Sequence, residues 1–318
     1  MMPALRRVAI FALMSALPML ATAQAPAAAP LPFALKPIGP GVYAAIDGPK
    51  GESGSNAGFV IGDDGVLVVD SFFNPKATAA LIAEIHKLTP KPIRYVVNTH
   101  YHIDHVGGDV VLRQAGAVII AHRNVRGWVR TENLHLFGER VTQSLRDQVA
   151  ALALPDVTTE APLTIWLGAR KVVVRPERGH TGGDLVVAVP DAKVLFAGDL
   201  LWNHVSPNMI DGTIADWIAT ANGFAADPGA NVVVPGHGDV ARASDVRAFA
   251  DYLADVRRLV SDARAKGLSG EALVQATLPP LKALHGDWQA FGYFAPKELA
   301  YTDAELAGAK RKPVPVSE

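Results

Sequence analysis

The stretch NTHYHIDHVGG, Asn98 to Gly108, places three histidines and an aspartate within six positions of a chain that has ten histidines in all. Crowded imidazoles repel one another when protonated, so a fold that gathers them needs a group that holds them together. A metal ion is the best candidate, because neutral imidazole is a common metal ligand. The run that leads into this motif, IRYVVNTH, has the composition of a buried strand. We therefore predict a metal site at the end of a strand.

Three later segments carry the same kind of residue after an apolar, β-forming run and beside glycine. They are RGHTGGD with His180, LFAGDLLW with Asp199 and VPGHGD with His237. Glycine lets the backbone approach closely or adopt a positive φ, so a ligand can leave its strand at a sharp angle. Functional residues gather on loops that a rigid sheet positions. These residues are therefore predicted to complete two adjacent metal sites with the first motif.

The amino-acid composition limits the metal ligands and the partners that the protein can have. The 318 residues include no cysteine, so thiolate ligands and disulfides are excluded and only nitrogen and oxygen donors remain for a metal. The absence of cysteine also excludes a lipid anchor on an N-terminal cysteine. A net charge of −1 argues against a surface for nucleic acid, and we expect a small-molecule substrate as the partner.

The N-terminus has the pattern of a secretory signal peptide at residues 1–23. Arg6 and Arg7 form a basic start, an apolar run spans 8–20, and Ala21-Thr22-Ala23 offers a cleavage site. An uncleaved N-terminal anchor is the alternative. We expect a periplasmic or secreted protein with no stable membrane insertion after cleavage. An Ala/Pro-rich flexible leader is predicted over 24–41, followed by a single domain at 42–318 with a helical C-terminal part at about 243–307.

Each half of this domain repeats one order of elements: a hairpin, further strands, then helices. Hairpin turns are predicted at 63–65 and at Pro190-Asp191, and a long helix is predicted from an N-cap at Ser244 to a C-cap at Gly267. Sheets covered by helices in both halves favour an α/β fold with four layers, an α/β/β/α sandwich.

The segment HYHIDH resembles the H-x-H-x-D-H signature of the metallo-β-lactamase superfamily, and the later histidines and aspartate occur in that family's order. The resemblance implies two zinc ions, with iron or manganese less favoured. It implies three sets of ligands: His100, His102 and His180 for one ion, Asp104, His105 and His237 for the other, and Asp199 as the bridge. A metal-bridging hydroxide would be the nucleophile. Asp104 would also orient it, as the catalytic residue.

The commonest lactamases of this superfamily place a cysteine on the second metal, and this chain has none. A bridging aspartate is more similar to the glyoxalase-II and lactonase branches. We therefore expect an exported zinc hydrolase of a carbonyl-type bond, in a β-lactam, a lactone or another ester or amide. A glyoxalase-II-like thioesterase and a non-catalytic metal-binding domain are the alternatives. Near-neutral charge disfavours a nuclease, and the absence of glutamate at position 102 disfavours a flavin-coupled diiron protein.

Some residues near the motifs are weaker candidates for the substrate pocket. They are Tyr101, Trp202, Asn203 and His204. Tyr101 is equally compatible with a packing role, and a surface position is favoured for His204. The glycine-rich loop over 51–58 is expected to flank the site, and Thr181 is expected to support the neighbouring histidine.

Overall fold

A computed structural model describes residues 30–314, so the predicted signal peptide and the first part of the predicted leader lie outside the described residues. The strands are β1 Phe33–Gly39, β2 Val42–Asp47, β3 Ala57–Ile61, β4 Val66–Val69, β5 Ile93–Val97, β6 Val118–His122, β7 Val157–Thr159, β8 Leu163–Leu167, β9 Arg170–Glu177, β10 Asp184–Val189, β11 Val194–Asn203 and β12 Val232–Gly238.

The helices are α1 Pro75–Leu88, α2 Ile103–Val106, α3 Asp109–Gln114, α4 Arg123–Trp128, α5 Gln143–Ala150, α6 Ile214–Ala226, α7 Ala243–Ala265, α8 Gly270–His285 and α9 Phe291–Leu306, with a 3-10 helix at Asn133–Arg140. No helix among residues 30–314 is long and apolar enough to cross a membrane.

The strands form two sheets. The first has seven strands in the order β1-β2-β3-β4-β5-β6-β7, and the second has five in the order β12-β11-β10-β9-β8. In the first sheet β1 to β4 are antiparallel, and β4 to β7 run parallel. In the second sheet all neighbours are antiparallel except β11 and β12. The predicted hairpins correspond to β3–β4 and β10–β11.

The two sheets pack face to face around a shared apolar core that includes Val60 and Val97 from the first sheet and Val187 and Phe196 from the second. Helices α1 and α3 cover the outer face of the first sheet, and α6 to α9 cover that of the second. Strand β4 is buried throughout because it has neighbours on both faces. The predicted four-layer α/β/β/α sandwich is confirmed.

Helix α1 shows why one such layer forms. Asn74 caps it by accepting a hydrogen bond from the Lys76 amide, and Pro75 follows at the first helical position. Ala77, Leu81 and Ile85 recur every four residues and are buried against the sheet.

The predicted flexible leader over 24–41 is wrong for its second half, because residues 33–39 form β1 and pair antiparallel with β2. Phe33 anchors this strand: it is 3% exposed and its ring stacks on that of Phe72 at 5.3 Å. The long helix α7 also begins slightly earlier than predicted. Arg242 is its N-cap, and the backbone amide of Arg242 donates to the Asp245 carboxylate in a capping box.

Candidate metal centre

The first motif follows the carboxyl end of β5, a buried parallel strand of the first sheet. His100 and His102 lie in the loop after the strand, and Asp104 and His105 lie on the single turn of α2. The turn docks closely on its neighbours. A Cβ atom at Gly108 would lie 1.7 Å from Thr78 Oγ1, so only glycine fits where the turn ends.

The other three residues come from the second sheet. His180 follows β9, Asp199 is within β11, and His237 is near the end of β12, which pairs with β11 in parallel. A Cβ atom at Gly236 would lie 1.8 Å from Asp199 Oδ1, so this glycine gives the carboxylate its space. The centre thus lies where the carboxyl ends of strands from both sheets meet.

The structure brings all seven candidate ligands together in two groups whose donor atoms lie within 4.8 Å of one another. One group is His100, His102, His180 and Asp199, and the other is Asp104, His105 and His237.

The carboxylate of Asp199 faces both groups. Its Oδ2 lies 3.3 Å from His180 Nε2 and 3.7 Å from His100 Nε2. Its Oδ1 lies 3.1 Å from His105 Nε2 and 3.4 Å from His237 Nε2. One oxygen toward each group is the arrangement that a bridging ligand requires.

The donor atoms also fit metal ions by their burial. Five buried donor atoms of the candidate ligands have no hydrogen-bond partner within the described chain: His100 Nε2, His105 Nε2, His180 Nδ1, His237 Nε2 and Asp199 Oδ1. Buried polar atoms are normally paired, so the unpaired nitrogen atoms of His100, His105 and His237 beside the Asp199 carboxylate fit the binding of cations. Nitrogen and carboxylate donors without sulfur suit zinc and other borderline ions.

The electrostatics of the two groups differ. Burial lowers the pKa of His180 to about 3 and that of His100 well below its usual value, so both imidazoles are neutral, the form that binds metal. Burial opposes a charge on His237 as well, but Asp199 and Asp104 raise its pKa to about 9. At His237 the two carboxylates thus outweigh the effect of burial, whereas burial dominates at His100 and His180.

Asp70 orients one ligand from behind. Its Oδ2 accepts hydrogen bonds from His105 Nδ1 at 2.9 Å and from the Thr99 hydroxyl at 2.8 Å. The contact to Nδ1 turns Nε2 of His105 toward the centre. Sequence reasoning missed Asp70, although it follows β4 as the candidate ligands follow their own strands.

Asp211 has the same role on the other side. It is buried in the loop between β11 and α6, and it accepts from Tyr101 Oη at 2.5 Å and contacts His102 Nε2 at 3.3 Å and His135 Nε2 at 3.2 Å. His102 therefore presents Nδ1 to the centre, where this atom lies 3.0 Å from His180 Nε2. No sequence pattern marks Asp211, and His135, which is not among the predicted ligands, is its third partner.

The structure places the weaker pocket candidates away from the open cavity beside Asp104. Tyr101 is fully buried, and its hydroxyl is committed to Asp211. Trp202 is buried and stacks on the His237 ring at 3.9 Å, and Asn203 donates to the Asp239 carbonyl. His204 is exposed and packs on Trp288.

The glycine-rich loop over 51–58 does lie against the centre. Ser55 Oγ donates to the Asp104 carbonyl at 2.6 Å, and Asn56 Nδ2 donates to the carbonyls of Pro235 and Gly238 on either side of His237. The loop therefore joins the two segments that supply the second group of ligands. Gly54 of this loop lines the cavity of about 300 Å³ beside Asp104.

A sequence model of the metallo-beta-lactamase superfamily matches residues 51–237, more than half of the chain and all seven candidate ligands. A metallo-beta-lactamase from Pontibacter korlensis shares the fold, with a TM-score of 0.56 and 24% identity over 70% of this chain and 99% of that one. The chain belongs to the metallo-beta-lactamase superfamily and shares its hydrolase framework.

Its relatives differ in what they are named for. A metallo-beta-lactamase type 2 from Bacillus cereus is 26% identical over 197 residues, 60% of this chain and 70% of that protein. The acyl-coenzyme A thioesterase MBLAC2 from Gallus gallus is 28% identical over 208 residues, with the same coverage. A hydroxyacylglutathione hydrolase from Brucella abortus is 27% identical over 143 residues, 45% of this chain and 47% of that protein.

Proposed function

We propose that this protein is an exported, dinuclear zinc hydrolase that cleaves a carbonyl-type bond in a small molecule, such as a β-lactam, a lactone or another ester or amide. The observation that carries the proposal is the Asp199 carboxylate, which directs one oxygen to each ligand group. Two ions bound by these residues would supply Lewis acidity and would lower the pKa of bound water toward ~7. His100, His102, His180 and Asp199 would hold the first ion, and Asp104, His105 and His237 would hold the second. The second oxygen of Asp199 also lies beside His105 and His237.

The chain's own residues supply the rest of the chemistry. Asp104 is the one candidate ligand whose side chain opens into the 300 Å³ cavity, and its Oδ2 lies 3.3 Å from His237 Nε2. A carboxylate at this place can accept a hydrogen bond from an attacking water and keep its lone pair directed at the substrate carbonyl. Asp70 and Asp211 hold His105 and His102 in their ligand orientations. The packing of the two sheets against each other keeps the strand ends that carry the ligands in fixed positions.

Hydrolysis of a thioester is the second candidate. It is favoured by two relatives, which are named as an acyl-coenzyme A thioesterase and a hydroxyacylglutathione hydrolase. The same seven side chains serve either substrate, because both reactions attack an acyl carbon. An intact set of ligands with unpaired donor atoms disfavours a non-catalytic domain.

The test combines metal analysis with a hydrolysis panel on the full-length mature protein. We expect about two zinc ions per chain, loss of activity with a chelator and recovery with Zn²⁺. The panel is nitrocefin, an acyl-homoserine lactone, an acyl thioester and a phosphodiester, of which we expect the first three to include the substrate. Full activity in protein that contains one ion or none would refute the dinuclear mechanism.

Export rests on the sequence of residues 1–23. N-terminal sequencing of the protein from fractionated cells is expected to find a mature chain that begins near Gln24 in the periplasm or the medium. An intact Met1 in the cytosolic fraction would contradict this part of the proposal.

A further inference from the structure

The cavity beside the candidate metal centre has both buried and charged, exposed lining residues. Ile103, which is 2% exposed, and Asp104, whose side chain is 28% exposed, line it beside the centre. The exposed side chains of Arg140, Tyr293 and Lys297 line it where it opens to solvent. Its volume of about 300 Å³ is at the lower end of the range for small-molecule sites.

The walls of the cavity are apolar and aromatic. Phe73, Phe137 and Phe294 lie on different segments of the chain and all contribute to it. Aromatic rings bury large areas at a low cost in conformational entropy, so such walls favour an apolar body in the ligand. A fully polar ligand would lose its hydration without compensation here.

The two cations at the mouth lack an acidic partner. Within residues 30–314 no carboxylate forms an ion pair with Arg140 or Lys297, and the cavity's acid is Asp104, which is already a candidate metal ligand. Both cations instead contact Tyr293. Lys297 Nζ lies 3.5 Å from the centroid of its ring, and Lys297 and then Arg140 lower the pKa of its hydroxyl. Two positive charges therefore remain uncompensated beside an apolar cavity.

Part of this wall lies beyond the segment that the family model matches. The matched region ends at residue 237, whereas Tyr293, Phe294 and Lys297 are on α9. These three residues therefore lie beyond the segment that the family model matches.

We infer that the substrate is an amphipathic acyl compound whose apolar body fills this cavity and whose distal carboxylate binds between Arg140 and Lys297. The inference rests on the proposed hydrolase function and names the substrate class for it. A guanidinium and an ammonium together match the two oxygens of a carboxylate. Arg140 and Lys297 are thus specificity-determining residues at the mouth.

The geometry also orients the substrate. The cavity is lined by Asp104 of the second ligand group, and none of His100, His102 and His180 of the first group lines it. The apolar body consequently extends from the reacting carbonyl past the second group, and the carboxylate is reached at the far end of that body.

The experiment measures binding, so it does not require turnover. The complete mature protein, loaded with zinc, is titrated with 4-phenylbutyrate and, separately, with the matched neutral alcohol 4-phenylbutanol. Isothermal titration calorimetry measures the affinity for each compound. Arg140→Gln and Lys297→Gln are tested singly and together. Arg257→Gln with Lys266→Gln removes the same charge at exposed positions outside the cavity and is the matched control. Zinc content and circular dichroism are measured for every variant.

We expect the wild type to prefer the carboxylate. The double variant in the cavity should lose about 10-fold in affinity for the carboxylate, with little change for the alcohol. The effect should shrink as salt is added, because both cations are exposed. The control pair should behave as the wild type does.

Three outcomes would overturn the inference: an unchanged preference in the double variant, an equal loss in the control pair, or no binding of either compound by the wild type. If the preference depends on Arg140 and Lys297 but the hydrolysis panel gives no turnover, the proposed function fails while the ligand class stands. If the panel gives turnover but the protein shows no preference for the carboxylate, the proposed function stands and the inferred ligand class fails.

Discussion

At the residue scale, Asp104 joins structure to chemistry, because it belongs to the second ligand group and its side chain also faces the cavity. Asp104→Asn keeps the size of the side chain and removes its charge. We expect the fold to survive, the second metal to weaken markedly and the first to remain. Turnover should fall by about 10²-fold or more, since an orienting group and a metal are both compromised.

Metal content, melting temperature and kcat are to be measured together on this variant. Asp251→Asn is a suitable control, because Asp251 is exposed on α7 away from the centre. If Asp104→Asn keeps two metals and near-normal turnover, Asp104 is neither a needed metal ligand nor an orienting group in the reaction.

Asp211 is a positioning residue at the same scale. Its carboxylate contacts His102 Nε2 and leaves Nδ1 for the first metal. Asp211→Asn weakens the acceptor while keeping its shape. We expect the affinity of the first site to fall by about 10- to 100-fold, as for other residues that orient a metal-binding histidine.

The readout is the visible spectrum of the Co²⁺-substituted protein and competition with a chromophoric chelator. A purely structural role would lower the melting temperature and leave the spectrum of the remaining metal unchanged. A wild-type spectrum with wild-type affinity would therefore contradict the positioning role. Asp211→Glu, which restores the charge, should recover part of the affinity.

At the scale of elements, the segment that follows α9 holds the loop that carries Asp211 in place by hydrogen bonds. The side chain of Lys310 is 4% exposed, and its Nζ donates to the Gly212 carbonyl at 2.5 Å and pairs with Glu305 at 3.4 Å. Glu305 in turn accepts from the Ile214 amide at 3.0 Å. Beyond it, the Trp128 indole donates to the Val314 carbonyl, so the segment reaches across to α4.

Lys310→Met keeps the length of the side chain and removes its donors. The Gly212 carbonyl and the Glu305 carboxylate then lose a partner, which is expected to lower the free energy of unfolding by about 1–3 kcal/mol. Urea unfolding measures the loss, and Lys266→Met, at an exposed position, is the control. If the urea midpoint of Lys310→Met equals that of the control, Lys310 does not stabilise the loop that carries Asp211.

At the scale of the whole molecule, local patterns predicted the layers and the candidate ligands that the fold brings together. Apolar runs between turn signals gave both hairpins, and strand ends beside glycine gave His180, Asp199 and His237. The patterns could not predict contacts between distant segments. Asp211 lies on a loop without regular periodicity, and its role depends on packing against His102.

The cavity follows the same rule. Its mouth combines Arg140, at the end of the 3-10 helix, with Lys297 on α9, which are far apart in sequence and meet only after the layers have packed. Strand β1 was missed because its partner, rather than its own Ala/Pro-rich context, makes it a strand. Tertiary contacts of this kind decide what a single sequence leaves open.

The core of the helical layer contains a carboxyl group that makes global stability depend on pH. Glu298 is fully buried, and its carboxyl oxygens accept from the hydroxyls of Ser206 at 2.6 Å and Tyr252 at 2.5 Å. Burial raises its pKa to about 8 from the ordinary value of 4.5. Between those values the folded protein keeps a proton that the unfolded chain has lost, so stability falls as the pH rises from 4.5 to 8 and levels off above 8.

Glu298→Gln removes this proton equilibrium, and the hydroxyls of Ser206 and Tyr252 can rotate to pair with the amide. The metal centre and all other groups are unchanged, so the difference between variant and wild type isolates Glu298. We expect the variant's advantage in the free energy of unfolding to grow with pH, by at most about 1.4 kcal/mol per unit, and to stop growing above pH ~8. Urea unfolding of both zinc-loaded proteins at several pH values from 5 to 9 measures it. Profiles that stay parallel across this range would mean that Glu298 keeps an ordinary pKa in its buried place, and that the helical layer tolerates its charge.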